Sequence, residues 1–299
     1  MNKLDDFVIE PLAIVCHDAG AANLIVSWIK RYKGIMKVCM KGPAQKIWKR
    51  HFPDSELLSI ERIFVDSNTL LTGTGWGDLE FEARIKAKKK NIKNIAVIDH
   101  WTNYSERFIR AGKELLPDII IVSDKYAYEK ACKTFPIKKI FQLPNIYLQV
   151  EANLVSSLRS KVKKNHFENL LVIAEPFREK KTNQKTLLEF MAIEYLMLNL
   201  NKVNNSIDFV NITIRPHPSE PSEKYVFLID KYKHLVNEFK ISRDKELYED
   251  IAMADIVIGI NSFALVVSLT AGVPTMSMLP PGYNNFNLPY NEIIHLRDL

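Results

Sequence analysis

Short apolar runs that stop on Gly, Pro, Asp, Asn or His alternate with helical stretches along most of the chain, and this alternation constrains the fold more tightly than any other feature. LAIVCH (12–17), MKVCMKG (36–42), TLLTGTG (69–75), NIAVIDHW (94–101) and DIIIVSD (118–124) read as strands. Between and after them, residues 21–31, AQKIWKRHF, DLEFEARIKAKKKN and KYAYEKACKTF read as helices. Apolar strands without period-2 alternation, separated by amphipathic helices, are βαβ units building a parallel sheet buried on both faces. The pattern breaks over LPNIYLQVEANLVSSLRSKVKKNHFEN, a polar and basic connector with some helix. It restarts with LLVIAEPF, a helix over 184–200, FVNITIRPHP, two helices, DIVIGIN, a helix and PTMSML. The expectation is therefore an α/β chain of two Rossmann-like halves, 1–155 and 156–299, with ligands held between them at the carboxyl ends of both sheets.

Composition narrows the class. A chain of 299 residues with 47% hydrophobic and 25% charged residues is an ordinary soluble globular protein. Three cysteines, Cys16, Cys39 and Cys132, form no CxxC pair and are too few for a disulfide framework. The opening MNKLDDFVIEPLAIV lacks the layout of a signal peptide. No apolar run approaches the ~20 residues that span a bilayer, so a cytoplasmic protein is expected. The net charge of +6 suits an anionic partner. No helix-turn-helix, RNP-like or zinc-finger pattern supports nucleic acid. KAKKKNIKN and RSKVKKNH read first as solvated faces, and peripheral association with the inner face of the cell membrane stays open beside them.

The second half carries two anion-binding signals. In ITIRPHPSE (212–220) the strand must stop, because Pro216 donates no hydrogen bond and each proline restricts the residue before it. Arg215 and His217 are left on stiff backbone at a strand's carboxyl end, beside Pro218. In ADIVIGINSFALVVSLTAGVPTMSM, Asn261 and Ser262 stand between a buried strand and a helix start. Either caps that helix, and the same helix start offers free N–H groups and a positive dipole end to a phosphate. Gly259 would let a ligand approach the backbone, and Gly272 ends the helix. Glu175, in IAEPF, stands at the end of the half's first strand.

RPHP followed by GINSFALVVSLTAGVPTMSM resembles the donor half of GT-B glycosyltransferases, and most closely the bacterial sialyltransferase and Kdo-transferase relatives. The resemblance covers roughly residues 168–280. It implies that His217, with Pro218, contacts the phosphate of a CMP-activated sugar and that Asn261 and Ser262 complete the cradle; from its position alone, at the end of the half's first strand, Glu175 is expected to touch the nucleotide. It also implies a metal-independent enzyme with no cofactor. The absence of a DxD, an HExxH or a paired His/Cys spacing agrees.

The first half offers three polar loops at successive strand ends. CHDAGAANLIV places His17 and Asp18 before a helix, TGTGWGDLE places Thr74 in a glycine-rich turn, and VIDHWTNYSERF places Asp99, His100, Trp101, Asn103 and Tyr104 together. The turn is no Walker loop, since no GK[ST] follows. Asp18 and Asp99 could each cap a helix or act as the base that takes an acceptor proton, with His17 beside them. His100, Trp101, Asn103, Tyr104 and Thr74 suit an acceptor sugar. The HDAG, GTGWG and DHW strings are similar to strings in proteins of bacterial surface-polysaccharide clusters, which supports the class without naming a substrate; the expected acceptor is a glycan or lipid-linked glycan. The expected activity is transfer of a sugar, of the sialic, pseudaminic, legionaminic or Kdo type, to an acceptor hydroxyl. A nucleotide-sugar 2-epimerase and a non-catalytic nucleotide- or polysaccharide-binding protein are the rival readings.

Overall fold

The computed structural model describes residues 3–161, 169–176, 188–203, 210–217, 220–283 and 286–299. It divides into two compact units, Met1–Tyr147 and Leu148–Leu299. The stretch read as a connector holds a helix, Ile146–Arg159, so residue 155 lies inside regular structure.

The first unit runs β1 (Leu12–Cys16), α1 (Ala19–Ile29), β2 (Met36–Met40), α2 (Gly42–His51), β3 (Thr69–Thr72), α3 (Leu79–Lys89) and β4 (Lys93–Val97). A two-stranded antiparallel ribbon, β5 (Ile109–Arg110) and β6 (Lys113–Glu114), precedes β7 (Ile119–Val122), α4 (Lys125–Thr134) and β8 (Lys139–Gln142). α5 (Ile146–Arg159) follows. Six strands form one parallel sheet in the order β2-β1-β3-β4-β7-β8. Every residue of β1, β3 and β7 is buried, which is why β1 and β7 read as unbroken apolar runs. Ile14 and Cys16 pack with Trp28 and Trp48 on one face, while Ala13 and Val15 pack with Ala83 and Ala87 of α3 on the other. Each fully buried Leu or Ile contributes about 1.5–3 kcal/mol.

The second unit runs β9 (Asn169–Ala174), α6 (Leu188–Leu198), α7 (Leu200–Val203), β10 (Asn211–Pro216), α8 (Val226–Tyr232), β11 (Glu238–Ile241), α9 (Leu247–Met253), β12 (Ile256–Gly259), α10 (Phe263–Thr270), β13 (Thr275–Ser277) and β14 (Ile294–His295). Its parallel sheet has the order β11-β10-β9-β12-β13-β14. Leu170, Val172, Ile212, Ile214 and Ile258 pack with α6 and α8 residues Ile193, Leu196 and Leu228. Gly272, at φ +73° with open space around it, ends α10 in the left-handed conformation that glycine adopts without strain. Among the described residues no helix is long and apolar enough to cross a membrane.

Both sheets contain a point where the chain reverses its direction of growth, and ligands of open α/β sheets bind outside the carboxyl ends of the strands there. In the first unit the chain moves from β1 out to β2, then returns to place β3 on the other side of β1. In the second it moves from β9 to β10 and β11, then places β12 on the other side of β9. The first switch point is flanked by His17–Asp18 and the Gly73–Trp76 turn, the second by Glu175 and Asn261–Ser262.

Candidate functional site

At the first switch point the hydrogen bonding distinguishes the two expected jobs of Asp18. Asp18 stands at the N-cap position of α1 but makes no side-chain cap bond. Its Oδ1 lies 2.8 Å from His17 Nδ1 instead, and both side chains are 39% exposed. A carboxylate accepts, so His17 Nδ1 carries the proton and Nε2 is left bare as an acceptor. The loop is held from below: His17 N–H donates to Glu80 Oε1 at 2.8 Å, and Ala44 N–H to His17 O at 2.9 Å. Two glycines make room. A Cβ on Gly75 would stand 2.7 Å from Asp18 Oδ2, and one on Gly42, at φ +54°, 2.5 Å from His17 Nε2.

Asp99 joins the cluster from β4, two strands away from β1. A Cβ on Gly20 would fall 1.9 Å from Asp99 Oδ2, so α1 can begin here only with glycine while Asp99 keeps its place. Asp99 Oδ1 is 3.3 Å from Arg107 Nη1, and their side chains are 15% and 8% exposed. The same guanidinium donates to Thr74 O, Thr74 Oγ1 and Thr102 O. His100 has the opposite tautomer to His17. The Trp101 N–H donates to His100 Nδ1 at 2.9 Å, so Nδ1 is bare and Nε2 carries the proton. Burial pushes the His100 pKa down, with Asp99 opposing, which favours the neutral ring. Two strand ends thus offer one imidazole acceptor and one imidazole donor.

The other residues expected to bind an acceptor divide. Asn103, at φ +57°, is exposed. Trp101 and Tyr104 are only 5% and 3% exposed, so neither can stack on a sugar. The Trp101 Nε1–H donates to Asp124 Oδ2 at 2.8 Å, and Tyr104 stacks on Phe135 and donates to Ala127 O. Thr74 is fully buried, donating to Val97 O at 3.0 Å and accepting from Arg107. These three build the loop rather than face a ligand.

At the second switch point the residues satisfy one another. Asn261 N–H donates to Glu175 Oε1 at 2.6 Å, and the Ser262 hydroxyl bonds the same carboxylate. Ser262 also caps α10, accepting from Ala264 N–H at 3.3 Å. The N-terminus of α10, expected to cradle a phosphate, is therefore covered by a carboxylate of the chain itself. Desolvation raises the Glu175 pKa to about 7, against the two hydrogen bonds and with help from Glu189. Asn261 Oδ1 accepts from Asn287 N–H at 2.8 Å. Gly259 is a packing glycine: a Cβ there would meet Ile173 Cβ and Leu265 Cδ2 at 3.2 Å, so the tight approach is to the core and not to a ligand.

Arg215 also has a partner that its local sequence does not reveal. Its Nη1 is 2.5 Å from Asp250 Oδ2 and 2.9 Å from Lys245 O, with Asp250 side chain only 3% exposed. Ser242 donates to that same Asp250 oxygen. His217 is exposed at the end of β10. What burial its ring has lowers its pKa, and Glu220 opposes this. Lys224 ties Glu220 to the buried Glu189, and Glu220 N–H donates to His217 O, so this trio anchors the loop carrying His217. Pro218 lies outside the described residues.

Sequence reading passed over Glu80 and Arg84, which look like an exposed pair one helical turn apart. Both are fully buried. Glu80 holds the β1 loop and Arg84 Nη1 holds Gly73 O at 3.2 Å in the β3 loop. Burial raises the Glu80 pKa and lowers that of Arg84 to about 10. The only available signal was the position of both on the helix face that also presents Ala83 and Ala87 to the sheet.

No protein-family model matches the chain, and no curated protein matches it either. Solved structures do match in fold. The chain is similar to the UDP-GlcNAc 2-epimerase of Neisseria meningitidis bound to UDP-GlcNAc, at TM-score 0.60 and 11% identity, over 89% of this chain and 82% of that one. It is similar to a glycosyltransferase from Rickettsia africae, at TM-score 0.56 and 12% identity, over 90% and 79%. MurG of Acinetobacter baumannii matches at TM-score 0.51 and 9% identity, over 92% and 80%. With its two six-stranded parallel sheets, the chain has the α/β fold of the GT-B type.

Proposed function

We propose that this protein is a glycosyltransferase that takes a nucleotide-activated sugar at the strand ends of the second unit and an acceptor hydroxyl at those of the first. The observation that carries the reading is the His17–Asp18 pair, an oriented imidazole with a bare Nε2 at a sheet switch point. In the proposed step the acceptor oxygen bonds to the anomeric carbon, its proton passes to His17 Nε2, and the bond to the leaving phosphate breaks. Asp18 holds the imidazole and stabilises it once charged. His100 Nε2–H and Asp99 orient acceptor hydroxyls. Negative charge on the leaving phosphate meets His217 and the N-terminus of α10. Glu175 competes for that terminus while ionised, so its protonation opens the place to a phosphate.

The donor in this reading is a CMP-activated keto-sugar acid, which rests on the RPHP resemblance and on a β9 loop without glycine. The acceptor is a glycan or lipid-linked glycan at the inner face of the membrane. Assays with CMP-, UDP-, GDP- and CDP-sugars and labelled oligosaccharide acceptors test it. Transfer from a CMP-sugar supports the full reading; transfer from another donor alone overturns the CMP assignment. The fold shared with UDP-GlcNAc 2-epimerases supports a second reading, since a base and neutral acid pair also suits proton exchange at a sugar carbon. Conversion of a UDP-sugar with no acceptor present would favour it.

A further inference from the structure

Three of the chain's four tryptophans are buried: Trp28, Trp48 and Trp101 are 3%, 0% and 5% exposed. Trp76 is 53% exposed, and it stands in the turn after β3, at the first switch point. Its backbone is pinned on both sides. Arg110 Nη2 donates to Gly75 O at 2.6 Å and reaches Gly77 O at 3.4 Å, so one guanidinium grips the carbonyls flanking the tryptophan. The Arg107 guanidinium lies 5.9 Å from the indole centroid, within cation–π range. Two carboxylates stand near this turn: Asp18 lies against Gly75, and Asp99 pairs with the same Arg107 that faces the indole.

We propose that Trp76 is the platform on which the apolar face of a pyranose ring stacks, with Asp18 and Asp99 accepting hydrogen bonds from that ring's hydroxyls. An indole displayed on fixed backbone forgoes the stabilisation that burial gives the other three tryptophans, and a stacking ligand restores it. The carboxylates choose among stacking ligands. They accept hydrogen bonds and donate none when ionised, which fits a hydroxyl-rich neutral ring and disfavours a phosphate or carboxylate placed beside them. Trp76 thereby takes the stacking role that burial denies to Trp101 and Tyr104. The inference rests on the reading that the first unit binds the acceptor, and it sharpens that acceptor to a neutral saccharide end.

The exposure pattern supplies the assay, because acrylamide quenching of the native protein reports chiefly on Trp76. The probes are lactose, N-acetylglucosamine, glucuronic acid and CMP, added without any donor sugar so that turnover plays no part. The expected result is a blue shift and reduced quenching with at least one neutral saccharide, and protection at least tenfold less sensitive with glucuronic acid. By calorimetry Trp76→Ala should weaken that saccharide at least tenfold, Trp76→Phe should recover much of the loss, and the melting temperature of both should match the parent. The proposal is overturned if Trp76 is already shielded from acrylamide without ligand, or if no saccharide protects it. It is equally overturned if CMP alone protects it, or if a saccharide binds with quenching and affinity indifferent to residue 76. Transfer assays can fail while the saccharide still protects Trp76, which separates this outcome from failure of the glycosyltransferase reading.

Discussion

The two switch points have the same topology and opposite hydrogen-bonding arrangements. Each places an acid at the end of the first strand of its unit, Asp18 after β1 and Glu175 after β9. Asp18 is 39% exposed, leaves its helix start uncapped and spends its hydrogen bond on His17. Glu175 turns onto the start of the neighbouring helix, where Asn261 N–H and Ser262 receive it, and burial lifts its pKa to about 7. One acid is arranged to steer a proton; the other stands where an anion would bind. The strand-end position alone therefore does not fix what an acid does. The first hydrogen bond it makes does.

The largest expected effects come from disabling the open pair. Asp18→Asn and His17→Ala should each cut transfer by ~10²–10⁴-fold, the usual range for a lost acid–base group, while urea unfolding stays close to the parent. Next comes the closed side. Asp250→Ala leaves Arg215 without its partner in a largely buried site and should cost about 3 kcal/mol in urea unfolding. A smaller loss would mean that Arg215 swings to water and is free to meet a phosphate.

Gly20→Ala should push Asp99 off its position and cost about 1–3 kcal/mol through overpacking, with transfer falling further than stability explains. The smallest effect belongs to Glu175. Its folded-state pKa is raised, so it is neutral below about 7 and becomes a competing anion as pH rises through that value. Nucleotide affinity should fall across that window, and Glu175→Gln should remove this component of the pH dependence. The groups facing Glu175 are Asn261, Ser262, Glu189 and Tyr225, and the burial-raised phenol of Tyr225 stays protonated there. By the same sign, Glu175 favours folding most below the ordinary carboxylate pKa and loses that contribution through about 7.

Much of the fold was legible because parallel strands buried on both faces must be apolar throughout, as LAIVC and IIIV are. The strands that sequence reading missed lie toward sheet edges, where polar residues are tolerated: KIFQ of β8 and EFKI of β11 carry exposed charges and give no apolar run. Site residues were legible as positions and not as roles. His17 and Asp18 pair, and Asp99 comes up against Gly20 in the helix that follows them, because β1, β3 and β4 are neighbours in the sheet. The partner of Arg215, a residue of strand β10, sits 35 residues away on helix α9, and no local pattern announces it. Trp101 and Tyr104 looked like sugar-facing aromatics, yet each has a polar tip that finds a partner within the unit, Asp124 and Ala127 O, so both rings pack inside. Trp76, bracketed by glycines, was the aromatic left outside.

If the two switch points divide the labour, calorimetry of nucleotide binding separates them. CMP and UDP are titrated into the parent, His217→Ala and Asp18→Asn, all checked for native melting. His217→Ala should weaken nucleotide binding at least tenfold, about 1.4 kcal/mol, while Asp18→Asn should bind it as the parent does. Unchanged affinity in His217→Ala, or loss of nucleotide binding in Asp18→Asn, would contradict that division.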